Sequence, residues 1–138
     1  MPRLILIEES LERRWPALDE LETTRSFVAE LEGPLPITVV ELEVPEHAVL
    51  QTIHAAAGRL RPSRFYAHVW SSPELIHVAF PNCVIDLHRG DARTTDLART
   101  IGSHCGIPSS EMRFEEMFDL DHPEMHVNDS SRSGQAPE

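Results

Sequence analysis

The segment Arg64–His88 limits the possible folds more than any other part of the sequence, because it predicts three short strands joined by two tight turns. Its apolar residues alternate with polar or aromatic ones, and Ser71–Glu74 and Pro81–Asn82 have the composition of turns. Period-two alternation broken by turn residues is typical of an antiparallel meander. One face of the predicted sheet is apolar and consists of Phe65, Ala67, Val69, Ile76, Val78, Phe80, Cys83, Ile85 and Leu87.

The opposite face of this meander carries the candidate site. If the turns are centred after Ser72 and after Pro81, His68 lies opposite His77, and His77 lies opposite Asp86. Opposed side chains of antiparallel strands have Cβ atoms about 4.5–5.5 Å apart, so these three residues form a row. Proline is a poor residue for a two-residue hairpin turn, and a bulge of one residue would break the row. The predicted ligand-binding residues are Tyr66, His68, Trp70, His77 and Asp86.

Three interpretations of this polar face remain open. The first is a half-exposed, solvated surface. The second is a binding surface, because aromatic side chains with polar neighbours suit the recognition of a ligand or partner. The third is a metal site, since two histidines and an aspartate are ligand types for zinc or non-haem iron. Three residues in a straight row converge poorly on one ion, and we therefore predict neither a metal nor a cofactor.

The charge composition disfavours two classes of partner. The chain has 23 acidic and 12 basic residues, all of the latter arginine, and a formal net charge of −11. An acidic protein is a poor partner for a nucleic-acid backbone or an anionic membrane. Without lysine there is no side-chain amine for a Schiff base and no phosphate-binding P-loop lysine.

We expect a soluble, cytoplasmic protein whose two cysteines, Cys83 and Cys105, are reduced. The N-terminus does not resemble a signal peptide, and no apolar run reaches the length that spans a membrane.

The elements outside the meander are predicted from periodicity and from residues that end helices. They are strands at Arg3–Glu8, Pro36–Val44 and Met112–Phe114, and helices at Pro16–Glu32, Pro45–Leu60 and Ala92–Cys105. The last part of the first helix, Ser26–Glu32, could instead be a strand. Residues 1–120 are predicted to form one domain, and residues 121–138 have the composition of a disordered tail.

This order of elements predicts the α+β class. We expect a mostly antiparallel sheet covered on one face by helices, with a ferredoxin-like core and an N-terminal βα extension. A more parallel arrangement of the first two strands is the alternative.

Four motifs in the second half of the chain carry a resemblance. They are Phe65-Tyr66-Ala67-His68, Phe80-x-Asn82, Gly106-Ile107-Pro108 and Met112-x-Phe114. Together they make about residues 62–118 similar to a family of small uncharacterised bacterial proteins. Members of that family have an aromatic-Tyr-Ala-His or -Asp strand, a hairpin, a helix, and a Gly-Ile-Pro turn before a final strand. The resemblance implies a bacterial origin and this order of elements, but no activity.

The leading functional hypothesis is a non-enzymatic binding module that uses the polar face for a protein or small-molecule partner. The alternative is a small enzyme in which His77 is a general base oriented by Asp86, which requires the face to line a pocket. A homodimer formed through the exposed aromatic residues is a third hypothesis.

Overall fold

The computed structural model describes residues 2–12, 15–16, 21–29, 37–62 and 65–119. They form, in chain order, β1 (Arg3–Ile7), β2 (Thr23–Ala29), β3 (Ile37–Glu43), α1 (Val49–Arg59), β4 (Ala67–Ser72), β5 (Leu75–Phe80), β6 (Cys83–His88) and α2 (Ala92–His104). Short 3-10 turns cover Glu8–Ser10, Glu46–Ala48, Ser109–Glu111 and Phe114–Phe118. Residues 107–119, which follow α2, are called the C-terminal segment below.

The strands form one antiparallel sheet in the order β2-β3-β1-β4-β5-β6. The predicted α+β class and the β4-β5-β6 meander are therefore confirmed. A ferredoxin-like core is not confirmed, because β4, β5 and β6 follow one another along the chain without an intervening helix. Strand β1 pairs antiparallel with β3, so the parallel alternative for the first two predicted strands is wrong.

The two helices lie on opposite faces of the sheet, whereas we predicted helices on one face only. Helix α1 covers small and medium side chains on what we call the α1 face, including Ala67, Val69 and Ala79. Helix α2 and the C-terminal segment cover larger ones on what we call the α2 face, including Ile76, Val78 and Phe80. Strand β1 lies between β3 and β4, with Leu4 and Leu6 packed on the α1 side and Ile5 and Ile7 in a separate cluster with Ile37 and Val39, so its run Leu4–Ile7 is buried throughout. A strand covered on both faces has a continuous apolar run instead of alternation.

Helix α2 begins at Ala92 as predicted and ends at His104, one residue before the predicted end. Its N-cap, Asp91, accepts a hydrogen bond from the backbone N–H of Arg93 (3.0 Å). At the other end, Gly106 has a φ of 81°, a left-handed conformation that glycine adopts without strain.

Two predicted elements are wrong. The predicted helix Pro16–Glu32 is wrong over Thr23–Ala29, which is a strand that pairs with β3. The alternative prediction of a strand at Ser26–Glu32 is right for residues 26–29. The threonines, Phe27 and Val28 of Thr23–Ala29 favour a strand, and pairing with β3 outweighs the weak helical spacing of the leucines. The predicted strand Met112–Phe114 is not formed: Met112 and Arg113 lie between two 3-10 turns and Phe114 begins the second, and the side chains of Met112 and Phe114 are buried. The predicted tail, residues 121–138, lies outside the described residues.

Two helical glycines give a matched test of how closely α2 approaches the sheet. A Cβ at Gly102 would overlap Met112 Sδ and come within 3.2 Å of a ring carbon of Phe80, both on buried side chains. We expect Gly102→Ala to lower the free energy of unfolding by about 1–3 kcal/mol in urea titrations. Gly58 in α1 meets nothing within 4 Å, and we expect Gly58→Ala to stabilise by about 0.4–1 kcal/mol. Equal effects of the two changes would contradict this packing.

Candidate functional site

The predicted pairing of His77 with Asp86 is confirmed. Strand β5 pairs with β6 so that these two residues are opposite each other, and His77 Nδ1 lies 2.7 Å from Asp86 Oδ1. The turn between the strands is the predicted one, and Asn82 within it has a φ of 58°, which asparagine tolerates. The side chain of His77 is 4% exposed and that of Asp86 is 52% exposed. The pair therefore joins a buried imidazole to a carboxylate at the surface.

The predicted opposition of His68 and His77 is wrong. Val69 lies opposite His77, and His68 lies opposite Val78, because the turn is centred after Pro73 instead of Ser72 and the register then shifts by one residue between Trp70 and Ser72. The cause is the Pro73–Glu74 turn. Proline fixes φ near −65°, which excludes the turn types whose twist matches a two-residue hairpin, and a bulge supplies additional twist. The row of three residues is therefore divided between the two faces of the sheet.

The bulge brings Ser71, which sequence analysis missed, next to His77. The hydroxyl Oγ of Ser71 is hydrogen-bonded to His77 Nε2. A carboxylate can only accept a hydrogen bond, so in a neutral ring Nδ1 carries the proton that is donated to Asp86. Nε2 then accepts a hydrogen bond from the Ser71 hydroxyl. We call Ser71, His77 and Asp86 the Ser–His–Asp chain. The only sequence signal for Ser71 was its place beside a turn that contains proline.

This chain of hydrogen bonds has the order that proton transfer from a hydroxyl requires. A carboxylate that holds Nδ1–H fixes the tautomer and orientation of the imidazole, and leaves Nε2 free to take a proton from the serine. Ser71 itself is an exposed residue, and its Oγ bonds to the buried imidazole. The same bonds also satisfy both ring nitrogens of a buried histidine, which is a structural benefit in its own right.

Ser71 lines a cavity of about 360 Å³, which we call the Ser71 cavity. This volume lies within the range of small-molecule sites in proteins. Its walls are Pro2, Arg3, Glu46, Trp70, Ser71, Ser72, Pro73, Met117, Phe118 and Asp119. The cavity thus combines several apolar side chains with three charged ones, and the Ser71 hydroxyl that bonds to His77 belongs to the α1 face of the same strand.

The other predicted site residues, Tyr66, His68 and Trp70, lie on the α2 face beneath the C-terminal segment. The hydroxyl of Tyr66 donates to the backbone carbonyl of Glu111 (2.8 Å), and Trp70 Nε1 donates to that of Met117 (3.2 Å). His68 is 1% exposed, and its ring centroid lies 4.9 Å from that of Trp70. These residues therefore hold the C-terminal segment in place, and of the three only Trp70 reaches the Ser71 cavity.

Two arginines attach the C-terminal segment to the rest of the fold. Arg89 donates to the carbonyls of Pro73 (3.2 Å) and Phe118 (2.8 Å) and stacks over the Phe118 ring at 5.1 Å. Arg99 of α2 donates to the Met112 carbonyl (3.3 Å) and to Glu115. The hydrogen bond from Arg99 holds the pKa of Glu115 below its usual range. Arg89 therefore joins two walls of the Ser71 cavity, the β4–β5 turn and the end of the segment.

Comparisons of the chain with protein-family models, curated proteins and solved structures gave no match. The resemblance of residues 62–118 to a bacterial family therefore stays a prediction. Within the described residues, no group of three or more His, Cys, Asp and Glu side chains is arranged to hold a metal ion. Of the helices in the same residues, none has the length and apolarity needed to cross a membrane.

Arg89→Ala tests the attachment of the cavity wall. We expect it to lower the free energy of unfolding by about 1–2 kcal/mol, because two charge-assisted hydrogen bonds to carbonyls are lost at a half-exposed site. The control is Arg93→Ala, since Arg93 is 96% exposed and its side chain lies 3.9 Å from Asp91. Urea titrations of both variants give the measurement. A loss of stability that is the same for Arg93→Ala would contradict the assignment.

Proposed function

We propose that the protein is a small hydrolase that transfers an acyl group from an ester to water through Ser71. The observation that carries this proposal is the hydrogen-bonded order Ser71 Oγ, His77 Nε2, His77 Nδ1, Asp86 Oδ1. A nucleophilic serine needs a neighbouring base, and the base needs a group that orients it. Ser71 is also exposed and borders a cavity of ligand size, which supports the same function.

In the proposed reaction, His77 Nε2 takes the hydroxyl proton as Ser71 Oγ attacks the ester carbonyl carbon. Asp86 stabilises the imidazolium that forms. The imidazolium returns its proton to the leaving alkoxide, which departs as an alcohol and leaves an acyl group on Ser71. A water molecule then attacks the acyl carbon with His77 again as the base, and the carboxylic acid and free Ser71 are formed.

A second candidate is the binding of a small molecule without chemistry, and the apolar walls of the Ser71 cavity favour it. Trp70, Met117 and Phe118 offer the kind of surface that binds the apolar part of a ligand. This candidate retains the binding module that the sequence suggests. Its proposed site is the Ser71 cavity instead of the aromatic residues of the α2 face.

A cytoplasmic location and a small-molecule partner complete the proposal. Both cysteines are free thiols, which is usual in a reducing compartment. The net charge of −11 supports the expectation that neither nucleic acid nor an anionic membrane is the partner. A protein partner or a homodimer would have to use another surface, because Tyr66 and His68 are buried.

A fluorophosphonate probe and p-nitrophenyl acetate test the proposed hydrolase. We expect one covalent label on Ser71, located by mass spectrometry of peptides, and ester hydrolysis above the rate of the buffer. Ser71→Ala should abolish both, and Asp86→Asn should lower kcat/KM by about 100-fold or more. His77→Gln, which keeps an amide in place of the imidazole, should remove the label as well.

The matched control is Ser72→Ala. Ser72 is the next residue, is also exposed and lines the same cavity, but its hydroxyl accepts a hydrogen bond from the backbone N–H of Glu74 (3.2 Å). We expect this variant to keep the covalent label on Ser71, because the hydrogen bond to His77 comes from Ser71. Thermal unfolding followed by circular dichroism separates loss of chemistry from loss of fold. Labelling that persists in Ser71→Ala, or no label in a folded wild-type protein, rejects the hydrolase and leaves the binding function.

A further inference from the structure

We infer that the Ser71 cavity binds an organic cation, a small apolar group that carries an ammonium, and discriminates against a carboxylate of the same shape. This inference concerns the substrate or ligand of the proposed site, so it rests on that site but not on the acyl-transfer step. The argument uses the charges around the cavity and the nature of its walls.

The positive charge of Arg3 is already engaged by the protein. Its Nη1 lies 2.9 Å from Glu41 Oε2, and Glu41 is buried at 4% exposure. The guanidinium also lies 5.3 Å from the centroid of the Trp70 ring. A buried carboxylate needs its partner, because an unpaired buried charge is costly. Arg3 is therefore a poor receptor for an anionic ligand, although it lines the cavity.

The second arginine near the cavity serves two carboxylates. Arg89 Nη1 lies 3.2 Å from Asp119 Oδ1, and Arg89 Nε lies 3.4 Å from Glu74 Oε2. Both carboxylates are largely exposed, so neither takes up the whole charge of the arginine. Asp119 lines the cavity and keeps part of its negative potential there.

Glu46 adds a carboxylate whose charge is not neutralised by an ion pair with any described residue. It lines the cavity, it is exposed, and across the described part of the chain it takes part in no ion pair. Among the described side chains that line the cavity, Arg3 supplies one positive charge and Glu46 and Asp119 supply two negative ones, which leaves an excess of one negative charge. The net charge of −11 extends the negative potential over the molecule and concentrates cations near it.

The apolar walls decide which kind of cation fits. A hydrated metal ion gains nothing from Trp70, Met117 and Phe118, whereas an organic cation buries its carbon atoms against them and keeps its charge near Glu46. Charge and walls together therefore favour an ammonium with an attached apolar group.

The experiment compares three ligands that share one ring: benzyltrimethylammonium, benzyl alcohol and benzoate. They are titrated into the Ser71→Ala protein, which cannot be acylated, in a Trp15→Phe background where Trp70 is the one remaining tryptophan. Trp70 fluorescence reports binding because this ring lines the cavity. We expect the ammonium to bind at least about fivefold more tightly than benzoate at low salt, and the preference to shrink as salt is added.

Two charge variants separate the cavity from the general field of the protein. Glu46→Gln should weaken the binding of benzyltrimethylammonium by about two- to fivefold. Glu12→Gln removes the same charge at the other end of α1, where Glu12 bonds through its backbone N–H to Arg59 O, and it should have little effect. If Trp15→Phe does not fold, the indole N–H resonances of the Ser71→Ala protein give the same titration by NMR.

Three outcomes overturn the inference: benzoate binding as tightly as the ammonium, equal effects of the two glutamate variants, or no binding of any of the ligands up to about 10 mM. Failure of the proposed hydrolase is seen separately, as the absence of a fluorophosphonate label on Ser71 in the wild-type protein. Selective ammonium binding without that label would keep the inference and reject the acyl transfer.

Discussion

One additional residue in strand β4, at the bulge between Trp70 and Ser72, determines which side chains meet on this sheet. Side chains alternate along a strand, so a change of register by one residue exchanges the faces. If the pairing of Ser72 with Leu75 continued without a bulge, Trp70 would lie opposite His77. With the bulge, Trp70 pairs with Ile76, and Ser71 reaches His77 on the α1 face. The Ser–His–Asp chain and the aromatic packing of the α2 face therefore depend on the same irregularity.

The aromatic residues of the α2 face connect the core to the site. Tyr66 and Trp70 donate to backbone carbonyls of the C-terminal segment, which place its end beside the β4–β5 turn. Arg89 then bonds both the turn and the end of the segment. The Ser71 cavity lies between these two parts, so its width is set by hydrogen bonds to main-chain atoms. Such bonds fix the position of a wall whatever the side chains on it are.

Local patterns in the sequence predict the parts of the fold that depend on local contacts. The meander, both helices and the pairing of His77 with Asp86 follow from alternation, spacing and the Pro81–Asn82 turn, where Asn82 supplies the positive φ. The register of β4 on β5 does not follow from these patterns. The alternation of the two strands fits the pairing with a bulge as well as the pairing without one. Ser71 was missed for the same reason. Thr23–Ala29 was misassigned because leucines at helical spacing suggested a helix, although this segment pairs with β3, the next strand along the chain.

The position of Asp86 limits the chemistry that the Ser–His–Asp chain can perform. Asp86 lies on β6, an outer strand of the sheet, and half of its side chain is exposed. Water around a carboxylate screens its field, so it stabilises an imidazolium at His77 less than a buried carboxylate would. The activation barrier of the proposed acyl transfer must therefore be low without much help from Asp86. Esters with good leaving groups meet this condition and amides do not, since expulsion of an amine demands more from the acid and base. The exposure of one carboxylate thus favours an esterase over a peptidase at this site.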